Sequence, residues 1–309
     1  MAYNNSMLEN GLDFVVSALN SLNDPNAIKY SLLHLSSGIE LVFKERLSFE
    51  HWTYVFADMN KAKVSALTSG DFKSADSETI IERLQNLCEI KFTLKEIIAL
   101  KTLRNKRNKM EHYKLQEHTL SIESSVHESI TILIRIMAEH YNIDGFNNEE
   151  RALYEQIKSL LRNSVQHYND AKVIAQKELE QSGMKECVIT CPDCGEKFLL
   201  RDVDVNCVFC GYATTGELAA TDYISNILGI SEYRTVKHGG EFPQYYCPEC
   251  ENESLVFDCN TGEAICFSCE YEGDIADFSS CNYCGAQFLN RCKSTICTSC
   301  WDYVLHKDD

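Results

Sequence analysis

The run Thr93-Leu-Lys-Glu-Ile-Ile-Ala-Leu-Lys-Thr-Leu-Arg-Asn-Lys-Arg-Asn-Lys-Met-Glu-His-Tyr113 decides how the rest of the chain is read. Thr93, followed three residues later by Glu96, has the form of a capping box that opens a helix. No Gly or Pro interrupts the run as far as Tyr113. At about 3.6 residues per turn, Arg104, Asn108 and His112 fall four apart on one stripe, with Arg107 beside it. Guanidinium, carboxamide and imidazole thus share a patch, where an ordinary amphipathic helix would show Glu and Lys. Between Lys91 and Lys114 eight basic residues stand against only Glu96 and Glu111, in a chain of formal net charge −17. A basic island in an acidic protein predicts a local anion site, with phosphate the obvious ligand. A solvated basic face with a satisfied histidine is the competing reading.

Outward from this helix the chain reads as helix after helix. Residues 6–22 place Leu8, Leu12, Val15, Val16 and Leu19 at helical spacing. Asp24-Pro25 predicts an N-cap and first helical position, opening a helix to about Leu47. Glu40 and Lys44 lie four apart on it. They read as a surface ion pair, or Glu40 orients the Arg107 guanidinium. His51 to about Ser74 reads as an irregular connector. Helices are expected over Ser77–Ile90 and Ser121–Tyr141, and Asn147-Asn-Glu-Glu opens a last long run to Gln181, with Gly183 as its stop. Short connections between such elements predict an antiparallel bundle. His140 and His167 read as structural or solvated side chains.

The six residues Arg107-Asn108-Lys-Met-Glu-His112 resemble the Arg-x4-His motif of HEPN domains, including the polar residue after the arginine. Ser36-Ser-Gly-Ile-Glu-Leu-Val-Phe-Lys-Glu-Arg-Leu47 resembles a second helix of that family, and the likeness covers roughly residues 5 to 142. It implies an all-α bundle and, in many members, a metal-independent endoribonuclease. In such an enzyme the 2′-hydroxyl of RNA attacks the neighbouring phosphorus, leaving a 2′,3′-cyclic phosphate. His112 suits the acid–base role and Arg107 the stabilisation of phosphoryl charge. Asn108 would orient phosphate or imidazole, and Arg104 would add binding charge. One subgroup has a tyrosine two residues after the histidine; Tyr113 follows His112 directly, so that role is not assigned. The resemblance further implies a homodimer that pairs two motif helices, and roles in prokaryotic antiviral defence, toxin systems or stress. A non-catalytic HEPN and zinc-ribbon scaffold, binding a protein or RNA partner, is the alternative.

Of the sixteen cysteines only Cys88 precedes residue 187. Six Cys-x2-Cys knuckles follow. Cys191/Cys194 with Cys207/Cys210, Cys247/Cys250 with Cys266/Cys269, and Cys281/Cys284 with Cys297/Cys300 have intervals of twelve, fifteen and twelve residues. This is zinc-ribbon spacing: two residues between cysteines let both sulfurs of a turn reach one tetrahedral ion, and even spacing favours zinc over iron–sulfur. All-sulfur sites read as structural, with no catalytic metal. Cys88, Cys187, Cys259 and Cys292 are left over, as small buried side chains or inert thiols. Gly195, Gly211 and Gly285 directly follow second cysteines, where a left-handed backbone is often needed. Residues 187–309 hold 7 basic and 20 acidic side chains, so phosphate is expected to be repelled; recognition of a protein partner or activator, or domain stabilisation, is favoured at the ribbons, with nucleic acid the minority reading.

The fold class expected is therefore an all-α, HEPN-like helical bundle followed by small β-rich zinc-ribbon modules. The expected divisions are 1–145 for the bundle, 146–184 for a connecting helix and 187–214 for ribbon one. A helical insertion at 215–245, ribbon two at 246–273 and ribbon three at 279–304 complete them. Without a basic, apolar leader or a membrane-length apolar run, the chain is expected in the cytoplasm, touching no membrane.

Overall fold

The computed structural model describes residues 6–22, 24, 26–112, 118–182, 188–201, 204–237, 239–290 and 293–305. The chain divides into two units, 1–171 and 172–309. The first contains α1 (Met7–Leu22), α2 (Ile28–Glu50), α3 (Val64–Ser69), α4 (Ser77–Leu87), α5 (Leu94–His112), α6 (Thr119–His140) and most of α7 (Asn148–Ser182). Helices α1 and α2 form a close hairpin, because Gly11 and Gly38 remove the side chains where they cross. A Cβ on Gly38 would lie 2.7 Å from the Gly11 carbonyl and 2.8 Å from Val15 Cγ2.

One apolar core runs through this unit. Leu12, Leu32 and Leu35 of the hairpin meet Leu84 of α4, Leu103 of α5, and Val126, Ile130 and Leu133 of α6, all almost wholly buried. Tyr154 and Ile157 of α7 belong to the same core, so the bundle extends past the expected boundary at residue 145. The last long helix therefore completes the bundle with its first half. From Lys172 onward it groups with the second unit, where Lys172 pairs with Glu196 at 2.5 Å.

Caps explain most helix starts. The Thr93/Glu96 box is present: Thr93 N–H donates to Glu96 Oε2 at 2.8 Å and Glu96 N–H to Thr93 Oγ1 at 3.2 Å. Asn147 Oδ1 accepts from the amides of Glu149 and Glu150 at 2.8 and 2.9 Å. The start of α2 is a correction. Asp24 does not cap it: its side chain accepts from Asn26 N–H at 2.9 Å in a preceding turn, and the helix begins at Ile28 after Ala27. Pro25 and Gly183 lie outside the described residues. The connector after α2 carries short 3-10 turns at Trp52–Val55 and Met59–Lys61 before α3, and Arg83 ties it down by donating to the carbonyls of Tyr54 and Phe56.

The second unit is built from three small modules. In the first, β1 (Val188–Ile189), β2 (Leu199–Leu200), β3 (Asp204–Cys207) and β4 (Ala213–Thr215) form an antiparallel sheet in chain order. Helices α8 (Gly216–Asn226) and α9 (Glu232–Lys237) follow, both within the helical insertion expected at 215–245. In the second module β5 (Gln244–Tyr245), β6 (Leu255–Asp258), β7 (Glu263–Cys266) and β8 (Glu272–Asp274) repeat the pattern. The third is smaller, with β9 (Phe278–Ser280) paired to β10 (Gln287–Leu289) and then α10 (Thr298–Leu305).

Helix α8 packs between the first two modules. Tyr223 donates to Asp258 at 3.2 Å on one side, and Asn226 donates to the Pro192 carbonyl at 3.2 Å on the other. Gly216 lets it approach, since a Cβ there would fall 2.9 Å from the Phe267 carbonyl. The buried Arg201 guanidinium also links the two modules, reaching Glu272 at 2.6 Å.

Among the described residues no helix is long and apolar enough to cross a membrane.

Candidate active site and metal centres

Helix α5 buries Ala99, Leu100, Leu103 and Lys106 against the bundle. That fixes which way the remaining residues face. It continues unbroken through His112, so Arg104, Asn108 and His112 do form one stripe, about 12 Å long at 1.5 Å per residue. Arg107 is half-buried. Its Nη1 donates to Asn108 Oδ1 at 3.0 Å and pairs with Glu111 Oε2 at 3.0 Å, while its buried Nε has no hydrogen-bond partner. Asn108 spends its carbonyl on Arg107, which leaves the amide NH2 to meet a ligand. His112 is exposed at the end of the helix and makes no hydrogen bond or ion pair with another described residue.

Two of the expected residues are placed elsewhere. The Arg104 guanidinium turns to α4, 3.4 Å from Glu78, where it lines a cavity of about 50 Å³ floored by Ile39, Phe43, Ile80 and Leu100. Glu40 lines that same cavity, beside Arg104, and pairs with Lys44 rather than with Arg107. Nor is this a surface pair. Lys44 is buried and also donates to Ser74 at 2.8 Å, so the two groups form a bridge from α2 to the start of α4. Truncating one partner would leave the other with an uncompensated, partly buried charge.

The basic island is smaller than its residue count. Lys106 is buried and donates to Ser121 of α6. Lys95 lies 3.7 Å from Glu128, Arg104 meets Glu78, and Arg107 meets Glu111. Sequence reading missed Glu111 as the partner that holds Arg107, although the four-residue spacing would have found it. It also missed the buried polar face of α6. There Glu123 is almost wholly buried, burial raises its carboxyl pKa, and His167 lies 4.0 Å away as a weak counter-charge. His127 on the same face bonds Ser164 of α7 at 2.6 Å. As expected, His167 is solvated; His140 is half-buried beside Glu139, and burial lowers its pKa.

The cysteines come together as the spacing requires. Each of the three quartets brings its four sulfurs within 4.8 Å of one another. Cys191–Cys210 and Cys194–Cys207 are 3.8 and 3.9 Å apart, Cys247–Cys269 and Cys250–Cys266 are 3.6 and 3.7 Å, and Cys284–Cys297 is 3.8 Å. A regular tetrahedron with zinc–sulfur bonds of about 2.3 Å has edges of about 3.8 Å. The sulfurs therefore surround a space of the right size for one zinc each. Three groups that could hold zinc are present.

The knuckle backbone supports this. Gly195, Gly211 and Gly285 return their amides to Cys191, Cys207 and Cys281 at 2.8–2.9 Å, all with left-handed φ. Glu251 does the same for Cys247 with φ 60°, a conformation glycine adopts more cheaply. Burial pushes the Cys247 thiol up to about 11, and a bound cation would favour its thiolate. Cys88 is a buried thiol also raised by burial, and Cys259 is exposed; Cys187 and Cys292 lie outside the described residues.

What the chain defines by itself is a class: a helical bundle with an Arg/Asn/His helix, joined to three four-cysteine modules. No protein-family model matches this chain, and no curated protein or solved structure matches it either.

Proposed function

We propose that this protein is a HEPN-type endoribonuclease that cleaves RNA without a metal in its active site, by attack of the 2′-hydroxyl on the adjacent phosphorus. The observation that carries the reading is the end of α5. There Arg107, with an unspent buried N–H, and Asn108 stand within about one and a half turns of the exposed imidazole of His112, which has no partner among the described residues. His112 takes or gives the proton, Arg107 offers donors to the phosphoryl oxygens, and Asn108 positions the phosphate through its amide. One imidazole supplies one acid–base group. The resemblance to HEPN nucleases provides the second through a homodimer, with two motif helices facing a shared substrate. Glu111 must release Arg107 as phosphate arrives, so it acts as a gate on the guanidinium. In this reading the three cysteine quartets hold structural zinc, and the protein works in the cytoplasm in defence, toxin or stress biology.

A scaffold that binds without cleaving is favoured by one observation: Glu78, Glu111 and Glu128 already neutralise much of the basic helix. Cleavage of fluorescent single-stranded RNA after brief EDTA treatment separates the two. Wild type should leave 2′,3′-cyclic phosphate ends, while His112→Ala and Arg107→Ala lose about 10²- to 10⁴-fold in rate. Equal cleavage by wild type and both variants, or none by any of them on total RNA and tRNA, would overturn the nuclease reading.

A further inference from the structure

The acidity of the second unit is not shared equally. Residues 187–278 hold 4 basic and 17 acidic side chains, whereas 279–309 hold 3 of each. The third module is thus close to neutral before any metal is counted, and the repulsion expected of phosphate belongs to the first two.

The modules also differ in where they put their aromatic rings. In the first, Phe198 and Phe209 stack at 5.5 Å and are buried. In the second, Tyr245, Phe257 and Tyr271 pack in the small core with Phe278 of β9 against them, and Tyr246 alone of its rings is exposed. In the third, Tyr283, Trp301 and Tyr303 are 56, 52 and 55 % exposed. Three part-exposed rings thus fall on one small module, where they concentrate apolar area at the surface.

Tyr283 sits in the first knuckle and Tyr303 on α10, with ring centroids 6.2 Å apart and planes inclined at 47°. Two rings that sandwich one flat base stand about 6.8 Å apart, twice the stacking step of about 3.4 Å along a strand. A small rotation would turn the tyrosine pair into a slot for a single base. Trp301 is two residues from Tyr303 on α10, hence on another side of the helix, where it offers a second stacking face. The exposed Lys293, in a left-handed turn before the second knuckle, adds a cation on this module. Amphipathic rings with polar neighbours such as Asn282 and Thr298 suit a base better than an aliphatic protein surface, which no exposed Leu, Ile or Val of this module provides among the residues whose side chains are described.

We propose that the third cysteine module binds unpaired nucleotides of single-stranded nucleic acid by stacking them on Tyr283, Tyr303 and Trp301. The proposal does not depend on the ribonuclease reading, because stacking on rings needs no 2′-hydroxyl and serves RNA and DNA alike. Base stacking on aromatics tolerates any sequence, so the module would present unpaired strand without choosing its letters.

The test is fluorescence anisotropy of labelled single-stranded RNA and DNA 12-mers and of a blunt RNA duplex. It uses full-length, zinc-replete protein carrying His112→Ala, so that no substrate is consumed. The single strands should bind more tightly than the duplex. Tyr283→Ala and Tyr303→Ala should each weaken them roughly 5- to 100-fold, with Phe at either position restoring most of the affinity. Trp301→Ala should weaken them by a similar factor. Zinc content and far-ultraviolet dichroism should not change, because all three rings are exposed. Affinity unmoved by the alanine variants overturns the proposal. So does a result in which those variants dissolve a dimer in sedimentation while oligonucleotide affinity stays the same, which would make the rings a protein contact. Ring-dependent binding in a protein that never cleaves RNA would leave this inference standing and remove only the nuclease reading.

Discussion

The two units use opposite means to hold a shape. The bundle has one apolar core contributed by five helices and the first half of α7, with a few buried polar groups such as Lys106 and Glu123 set into it. The cysteine modules have little to bury. The second module's core cluster numbers six buried residues, two of them cysteines. A core that small does little to offset the chain entropy of ordering its loops, and the four-cysteine groups, which could hold zinc, offer ligation in its place. The lesson is that one chain can carry a half whose fold is set by hydrophobic pattern and a half built around cysteine quartets that could hold a metal ion.

Stripping the metal is the strongest way to break that contrast. With a strong chelator and a thiol reagent, the cysteine modules should unfold while the bundle keeps its helical signal, since each structural zinc contributes about 10–16 kcal/mol of apparent binding energy. Three zinc ions per chain should be released. Loss of the bundle's helicity in the same transition, or fewer than three ions, would mean that the halves are not independent in this sense.

Gly38→Ala probes the other half. The added methyl meets backbone at 2.7 Å, so the α1–α2 hairpin must open, at about 2–3 kcal/mol. The urea midpoint of the helical signal should fall while zinc stoichiometry stays at its wild-type value.

Glu123→Gln is expected to stabilise the bundle by about 1 kcal/mol at neutral pH. Burial raises this carboxyl above its ordinary pKa, so its ionised form opposes folding. The wild type gives up that stability as pH rises through the folded pKa. The advantage of the variant should therefore be full at pH 7 and fade as pH falls into the usual carboxylate range. A gain independent of pH would point to packing instead. The smallest effect is Glu251→Gly in the second module. Relief of its left-handed backbone should raise that module's resistance to chelation by at most about 1 kcal/mol, seen in competition with a zinc indicator.

The same division governs what the sequence made legible. Local, short-range chemistry was readable: Thr93 with Glu96, Asn147 as a cap, and all twelve knuckle cysteines depend on residues within a few positions of each other. The Arg104–Asn108–His112 stripe was readable for the same reason, because a helix converts spacing directly into a face. What could not be read needed a partner from a distant element. Arg104 turns to Glu78 and Lys106 inward to Ser121 because of where α4 and α6 lie, which no periodicity within α5 encodes. Glu40 is the clearest case. Its four-residue partner Lys44 was visible, but the burial of that pair against Ser74 was not. The start of α2 was missed because Asp24 is a good cap by type, yet it closes a separate turn three residues early.

The sulfur spacing has one further consequence, in oxidation chemistry. Paired sulfurs of each quartet stand 3.6–3.9 Å apart, and a disulfide needs them at about 2.05 Å. An oxidant that removes two electrons and two protons from such a pair has little backbone to move before the bond closes. Bound zinc is then a protecting group as well as a brace. A cell that loses zinc and meets oxidant together would find these modules sealed in the wrong covalent form, recoverable by a reductant and not by metal alone.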